Sequence, residues 1–148
     1  MNVADKKFMK LAIKASKKST CPREDRHIGA VIVKDGELIS EGYNFISEKL
    51  KSCCAKCCYR KEHKIASGTC MEKCFSVCAE QLAIKNALQK GADLNGATIY
   101  TTLSPCAVCA RWIVLVGIAR VVYLNEYYDD FSKNMLLLAG VEIESIKL

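Results

Sequence analysis

The chain has 148 residues, 51% hydrophobic and 26% charged, with a formal net charge of +6. This length can bury one sizeable core, and the composition excludes an intrinsically disordered chain. No apolar run reaches the roughly 20 residues of a transmembrane helix, and the positive charge comes with neither an Arg-rich tail nor an aromatic-basic stripe, so neither a membrane nor nucleic acid is an expected partner.

Residues 3–18 are predicted to be a helix. Val3, Phe8, Leu11, Ala12 and Ala15 recur at helical spacing between Lys6, Lys7, Lys10, Lys14, Lys17 and Lys18. That charged amphipathic pattern differs from a secretory leader, and a cytoplasmic protein is expected. Residues 28–33 and 39–43 are short apolar runs around Lys34-Asp35-Gly36-Glu37, which predicts an antiparallel hairpin. Residues 44–76 show no steady period, an unusual length of irregular chain that a metal staple would help to hold. Residues 77–90 return to helical spacing and stop at Gly91. A strand is predicted over 97–102, then a helix opened by Ser104 as N-cap and Pro105 in the first turn, ending at Gly117. A strand over 119–124, a helix over 130–139 capped by Asp129 and Asp130, and a strand over 141–146 complete the chain. Alternating strands and helices in this half predict a largely parallel sheet with helices on both faces. One domain over 1–148 is expected, with a cysteine-rich insert at about 44–76.

Ten cysteines need an explanation: Cys21, Cys53, Cys54, Cys57, Cys58, Cys70, Cys74, Cys78, Cys106 and Cys109. A secreted disulfide scaffold is one reading; the sizeable core and the short paired spacings favour metal ligation. Cys106 and Cys109 stand three apart in a first helical turn, so their sulfurs can share a face where free N–H groups favour thiolate. Cys78 supplies a third sulfur if two helix starts meet, and three protein ligands with one open position are the arrangement of a catalytic zinc. Glu80 beside them suits a proton shuttle, the pattern of hydrolytic zinc deaminases. A lone Cys-x-x-Cys would fit a redox pair or half a structural site equally well, but a redox pair requires neither Cys78 nor Glu80.

On these residues the chain resembles the zinc-dependent cytidine/deoxycytidylate deaminase superfamily. The resemblance is carried by Ile28-Gly29-Ala30-Val31-Ile32-Val33, Gly42-Tyr43-Asn44, Cys78-Ala79-Glu80, Ser104-Pro105-Cys106-Ala107-Val108-Cys109 and Gly117-Ile118-Ala119-Arg120-Val121-Val122-Tyr123. The Gly-Tyr-Asn triplet, the insert and Tyr127 after the last of these segments look most like the deoxycytidylate branch. The resemblance implies a three-layer α/β/α fold with a mixed five-stranded sheet of order 2-1-3-4-5. It implies hydrolysis of dCMP to dUMP and ammonia, supplying precursor for thymidylate synthesis. It implies zinc on Cys78, Cys106 and Cys109, with Glu80 moving protons. The Ala79 backbone would meet the base carbonyl, the Ser104 carbonyl the exocyclic amine, Asn44 the sugar, and Tyr127 would lie near the phosphate. It also implies a homo-oligomer and dCTP and dTTP as effectors. A second, structural zinc is expected among the remaining cysteines, with Cys21, Cys54, Cys57 and Cys74 as one candidate set and His63 able to substitute. The branch usually carries His where this chain has Cys78, and Cys-Ala-Glu is more typical of free-nucleoside deaminases. The competing readings are deamination of cytidine, guanine, a modified pyrimidine nucleotide or tRNA adenosine, and a zinc-binding protein without catalysis.

Overall fold

The computed structural model describes residues 2–54, 58–127 and 129–148, apart from the side chains of Cys53 and Cys54. Helix α1 (Val3–Ser16) leads into strands β1 (Gly29–Lys34) and β2 (Glu37–Tyr43). The one-turn helix α2 (Tyr59–Glu62) lies in the insert, and α3 (Ala79–Gln89) follows it. Then come β3 (Thr98–Leu103), α4 (Ala107–Leu115), β4 (Arg120–Asn125), α5 (Asp130–Leu138) and β5 (Glu142–Ser145). The strands form one sheet of order β2-β1-β3-β4-β5. β1 is antiparallel to β2 and to β3, whereas β3, β4 and β5 are parallel. The predicted order holds, and the parallel half is the strand–helix alternation of the C-terminal residues.

The hairpin turn places Asp35 and Gly36 at φ 51° and 78°, the left-handed pair that matches the twist of two antiparallel strands. β1 is buried on both faces, and its alternation divides the core. Ala30 and Ile32 join Ala83 and Ile84 of α3, Ile113 of α4 and Leu136 of α5 in one cluster. Val31 and Val33 join Phe8, Met9 and Ala12 of α1 with Tyr100 and Val122 in the other. So α1 covers one face of the sheet and the remaining long helices cover the other. Burial of each large apolar side chain stabilises the fold by about 1.5–3 kcal/mol. Within the insert, where no element was predicted, the chain forms a 3-10 turn at Glu48–Cys54 and helix α2, closed by an isolated bridge between Phe45 and Val77. Among the described residues no helix is long and apolar enough to cross a membrane.

Two close approaches set the helix positions. A Cβ on Gly29 would lie 2.0 Å from the Ala12 carbonyl oxygen of α1, and one on Gly42 would lie 2.2 Å from the Ala79 carbonyl oxygen of α3. Only glycine lets the backbones meet there.

A buried ion pair ties α1 to the sheet. Asp5 is 2% exposed and accepts both arms of the Arg120 guanidinium at 2.8 and 3.1 Å. The Tyr100 hydroxyl donates to the same carboxylate at 2.7 Å, and Glu144 pairs with Arg120 from the other side. The Arg120 hydrogen bonds hold the Asp5 carboxyl below its ordinary value of 3.8, against the opposing effect of burial. A carboxyl with a depressed value stabilises the fold above its unfolded-state pKa, and that contribution is lost as pH falls through the folded value. Asp5→Asn is therefore expected to cost about 3 kcal/mol near pH 7. The gap from the parent should narrow in acid, below the ordinary aspartate range. Denaturant titrations at several pH values check this; a gap that stays constant into acid overturns it.

Candidate active site

Two helix starts converge beyond the C-terminal end of the central strand β3. Cys78 is the N-cap of α3 and Cys106 the N-cap of α4. The Cys78 N–H donates to the Gln81 side-chain oxygen at 2.9 Å, which fixes the first turn of α3. Pro105 precedes the start of α4, but Ser104 is not its cap. The helix begins later than predicted, and the cap comes from a distant loop. Asp129 accepts from the Ala107 N–H at 2.9 Å with one oxygen and from the Ser132 N–H at 2.9 Å with the other. Ser104 instead accepts from the Tyr127 N–H at 2.6 Å, pinning the loop after β4 against the start of α4. The hydroxyl's need for a partner is met across the sheet rather than along the helix.

The sulfurs of Cys78, Cys106 and Cys109 all lie within 4.8 Å of one another. Cys106 and Cys109 are 8% and 1% exposed. Hydrogen bonds from the Cys109 and Cys78 thiols, then from the backbone N–H groups of Cys109 and Val108, hold Cys106 well below the usual thiol range. By the same bonds Cys78 and Cys109 are pushed up as donors. This donor set fits zinc, whose sulfur ligands at about 2.3 Å would stand roughly 3.8 Å apart around a tetrahedron. Among the described residues no fourth metal-ligating side chain joins the group.

Glu80 is 4% exposed. Burial pushes its carboxyl up to about 7. One carboxylate oxygen lies 3.6 Å from the Cys109 sulfur and the other 3.3 Å from the Thr101 hydroxyl. The Thr101 hydroxyl reaches the Leu103 carbonyl oxygen at 2.9 Å. Thr101 was not singled out in the sequence; its only signal was a polar side chain in a strand buried along most of its length.

Cys78, Glu80 and Cys106 line a cavity of about 180 Å³ together with Asn44, Ser104 and Tyr127. Ala79 is wholly buried beside them and does not line it. The Asn44 amide is largely engaged by the protein. Its oxygen accepts from the Ile28 N–H at 2.9 Å and the Ser19 hydroxyl at 2.6 Å, and its nitrogen donates to the Arg26 carbonyl at 2.6 Å. The insert forms one wall, where the Arg60 guanidinium donates to the carbonyls of Ala66, Thr69 and Cys70. Arg60 had no assigned role in the sequence, since its partners are backbone groups of an irregular segment.

Of the second candidate set, Cys21 is half-buried and Cys74 exposed. Burial raises the Cys21 thiol, and the charges of Cys58 and Cys74 add to the shift; among the described residues these three do not form a group of ligand atoms close enough to share an ion. Cys57 and the Cys54 side chain lie outside the described residues. His63 stacks on Tyr59 at 4.0 Å with its Nδ1 2.9 Å from the Tyr59 carbonyl oxygen. Trp112 of α4 is 43% exposed. With Phe45, Val77, Leu82 and Leu88 it borders an apolar groove of about 730 Å³ that meets the cavity at Val77.

Comparison with known proteins agrees with this geometry. The deoxycytidylate deaminases of Schizosaccharomyces pombe and Saccharomyces cerevisiae are 31% and 34% identical to the chain, each over 94% of it. The chain spans less than half of those relatives, 42% and 43% of their lengths. A solved structure of dCMP deaminase from cyanophage S-TIM5, in complex with dCMP and dUMP, superposes with a TM-score of 0.73 at 26% identity and 99% coverage of both chains. The family model of the cytidine and deoxycytidylate deaminase zinc-binding region matches residues 2–125, from α1 through the paired helix starts to the end of β4. With its sheet order and its converging cysteines, the chain belongs to that family.

Proposed function

We propose that the chain is a zinc-dependent deaminase that converts dCMP and water to dUMP and ammonia, and so feeds thymidylate synthesis. The observation that carries this reading is the buried Glu80 carboxyl beside three convergent sulfurs. Cys78, Cys106 and Cys109 would hold the zinc. When bound, it supplies a Lewis acid that makes water nucleophilic at neutral pH. Glu80 does the proton work. It takes a proton from water as the oxygen bonds to C4 of the base, and delivers it to N3. It then carries the second proton to the amine, the C4–N bond breaks, and ammonia leaves. Burial raises the Glu80 carboxyl above its ordinary value, the direction that suits a group that must donate as well as accept a proton. The Ala79 backbone and the Ser104 carbonyl would hold the base, Asn44 the sugar, and Tyr127 the phosphate end.

Relatives bearing the deoxycytidylate name, and the cyanophage enzyme bound to dCMP and dUMP, support the substrate. A second reading, deamination of free nucleosides, is favoured by Cys78 in place of His, since Cys-Ala-Glu is more typical of free-nucleoside deaminases; a third thiolate also weakens the metal as a Lewis acid. The Val108 and Cys109 N–H groups directed at Cys106 counter that by withdrawing charge from sulfur. We further propose a structural zinc, with Cys21, Cys54, Cys57 and Cys74 as one candidate ligand set and His63 as a substitute, a cytoplasmic homo-oligomer, and dCTP and dTTP as effectors. Ammonia release from dCMP, dCTP, deoxycytidine and cytidine tests the substrate. dCMP is expected to be the best of the four, and equal or better turnover of the unphosphorylated nucleosides overturns that choice.

A further inference from the structure

Thr101 is a polar residue at a core position. Its strand β3 lies between β1 and β4, with Thr101 opposite Ala30 on one side and Tyr123 on the other. Side chains alternate along a strand. Tyr100 joins the core on the α1 side of the sheet, and Ile99 joins the core beneath α3 and α4. Thr101 shares the Ile99 face and is wholly buried there, where valine has the same shape. A buried hydroxyl costs free energy unless it is hydrogen-bonded. The Leu103 carbonyl at 2.9 Å meets that need alone. The contact with Glu80 Oε1 at 3.3 Å is additional to it.

A hydroxyl has one proton and two acceptor lone pairs, and it turns to suit its partners. With its proton on the Leu103 carbonyl, Thr101 presents a lone pair that accepts from a carboxylic acid. With its proton turned to Glu80, it donates to a carboxylate. One partner therefore serves both forms through which the proposed cycle takes Glu80. A backbone group cannot, since an N–H only donates and a C=O only accepts. Among the described residues, Thr101 and Cys109 supply the side-chain hydrogen bonds to Glu80, beside a bond from its own backbone N–H. Cys109 lies 3.6 Å from Oε2. A sulfur that holds zinc is a thiolate, with no proton to donate and a charge that repels a carboxylate. In the loaded site the Cys109 contact no longer fastens the carboxyl, and the hold falls to Thr101.

We infer that Thr101 is a positioning residue for the deamination: its hydroxyl holds the Glu80 carboxyl by one oxygen, so that the other stays on the side of the three sulfurs. The inference rests on the proposed deaminase reading, in which Glu80 moves the protons.

The test uses Thr101→Val, which removes the hydroxyl and keeps the shape, and Thr101→Ser, which keeps the hydroxyl. kcat and KM for dCMP are measured on the zinc-loaded parent and on both variants, with zinc content and thermal midpoint for each. Thr101→Val should lower kcat about tenfold, the worth of one buried hydrogen bond. KM should stay within about twofold, and zinc content should not change. Thr101→Ser should keep kcat within about threefold of the parent. In a Glu80→Gln background Thr101→Val should make no further difference, because the group it acts through is already disabled. An unchanged kcat in Thr101→Val, an equal loss in Thr101→Ser, or a further tenfold loss in the Glu80→Gln background would each assign Thr101 to packing alone and overturn the inference. Crystal structures of the zinc-free parent and Thr101→Val give a readout independent of turnover. The Glu80 carboxyl should leave its place in the variant, and a carboxyl that stays put overturns the inference. A parent chain that releases no ammonia from dCMP or from the nucleosides overturns the deaminase reading, while the crystal comparison still decides whether Thr101 holds the carboxyl.

Discussion

A Glu80→Gln chain is expected to keep its zinc, more than one ion per chain, while its kcat for dCMP falls by about 10³- to 10⁴-fold. The amide has the size and shape of the carboxylate, so it can occupy the same space between Thr101 and Cys109. What it cannot do is accept a proton from water and pass it on. Because the proposed cycle uses the residue twice, the loss belongs at the upper end of general acid–base effects. Unfolding would not mimic the result, since a neutral amide removes the penalty of burying a charge at a site 4% exposed. The thermal midpoint should therefore hold or rise at pH 8. Metal analysis, ammonia release and a melting curve on one preparation check all three statements. A variant that retains a tenth or more of the parent turnover would remove Glu80 from the proton path.

Gly42→Ala should produce a smaller catalytic loss by a different route. The added methyl carbon would stand 2.2 Å from the Ala79 carbonyl oxygen and 2.3 Å from the Ala83 nitrogen. Both are backbone atoms of α3, so no side chain can rotate away and the helix itself must retreat from β2. Such overpacking costs about 3 kcal/mol, or roughly 10 °C in melting temperature for a chain of this size. Since α3 carries Cys78 and Glu80 at its first turn, a shift of about 1 Å there should also lower kcat/KM by about 10²-fold. The catalytic loss should accompany a weaker hold on zinc, read by competition with a chelator. A melting temperature within a few degrees of the parent would mean that α3 does not press on the strand as described.

These two positions also mark what the sequence made legible. Cys78, Glu80, Cys106 and Cys109 could be read directly because their chemistry is local: each pair lies within one helical turn, and only the meeting of the two turns had to be supposed. The sheet order came through the resemblance, and the hairpin came from Asp35-Gly36. The supporting contacts stayed hidden because each partner is distant in the chain or is a backbone group. Thr101 meets Glu80 from another element, Arg60 binds three carbonyls of an aperiodic segment, and Ser104 satisfies its hydroxyl across the sheet at Tyr127. Spacing rules describe neighbours along a helix or strand and are silent on such pairs.

The carboxylate of Asp129 holds the first turns of α4 and α5 together, one oxygen for each. Two helices thus answer to a single residue on a short connector, and one of them presents Cys106 and Cys109. The length of that connector is consequently constrained by metal chemistry rather than by surface tolerance. A residue inserted between Asn125 and Asp129 would be felt at the sulfurs, although it lies outside the segment that bears them.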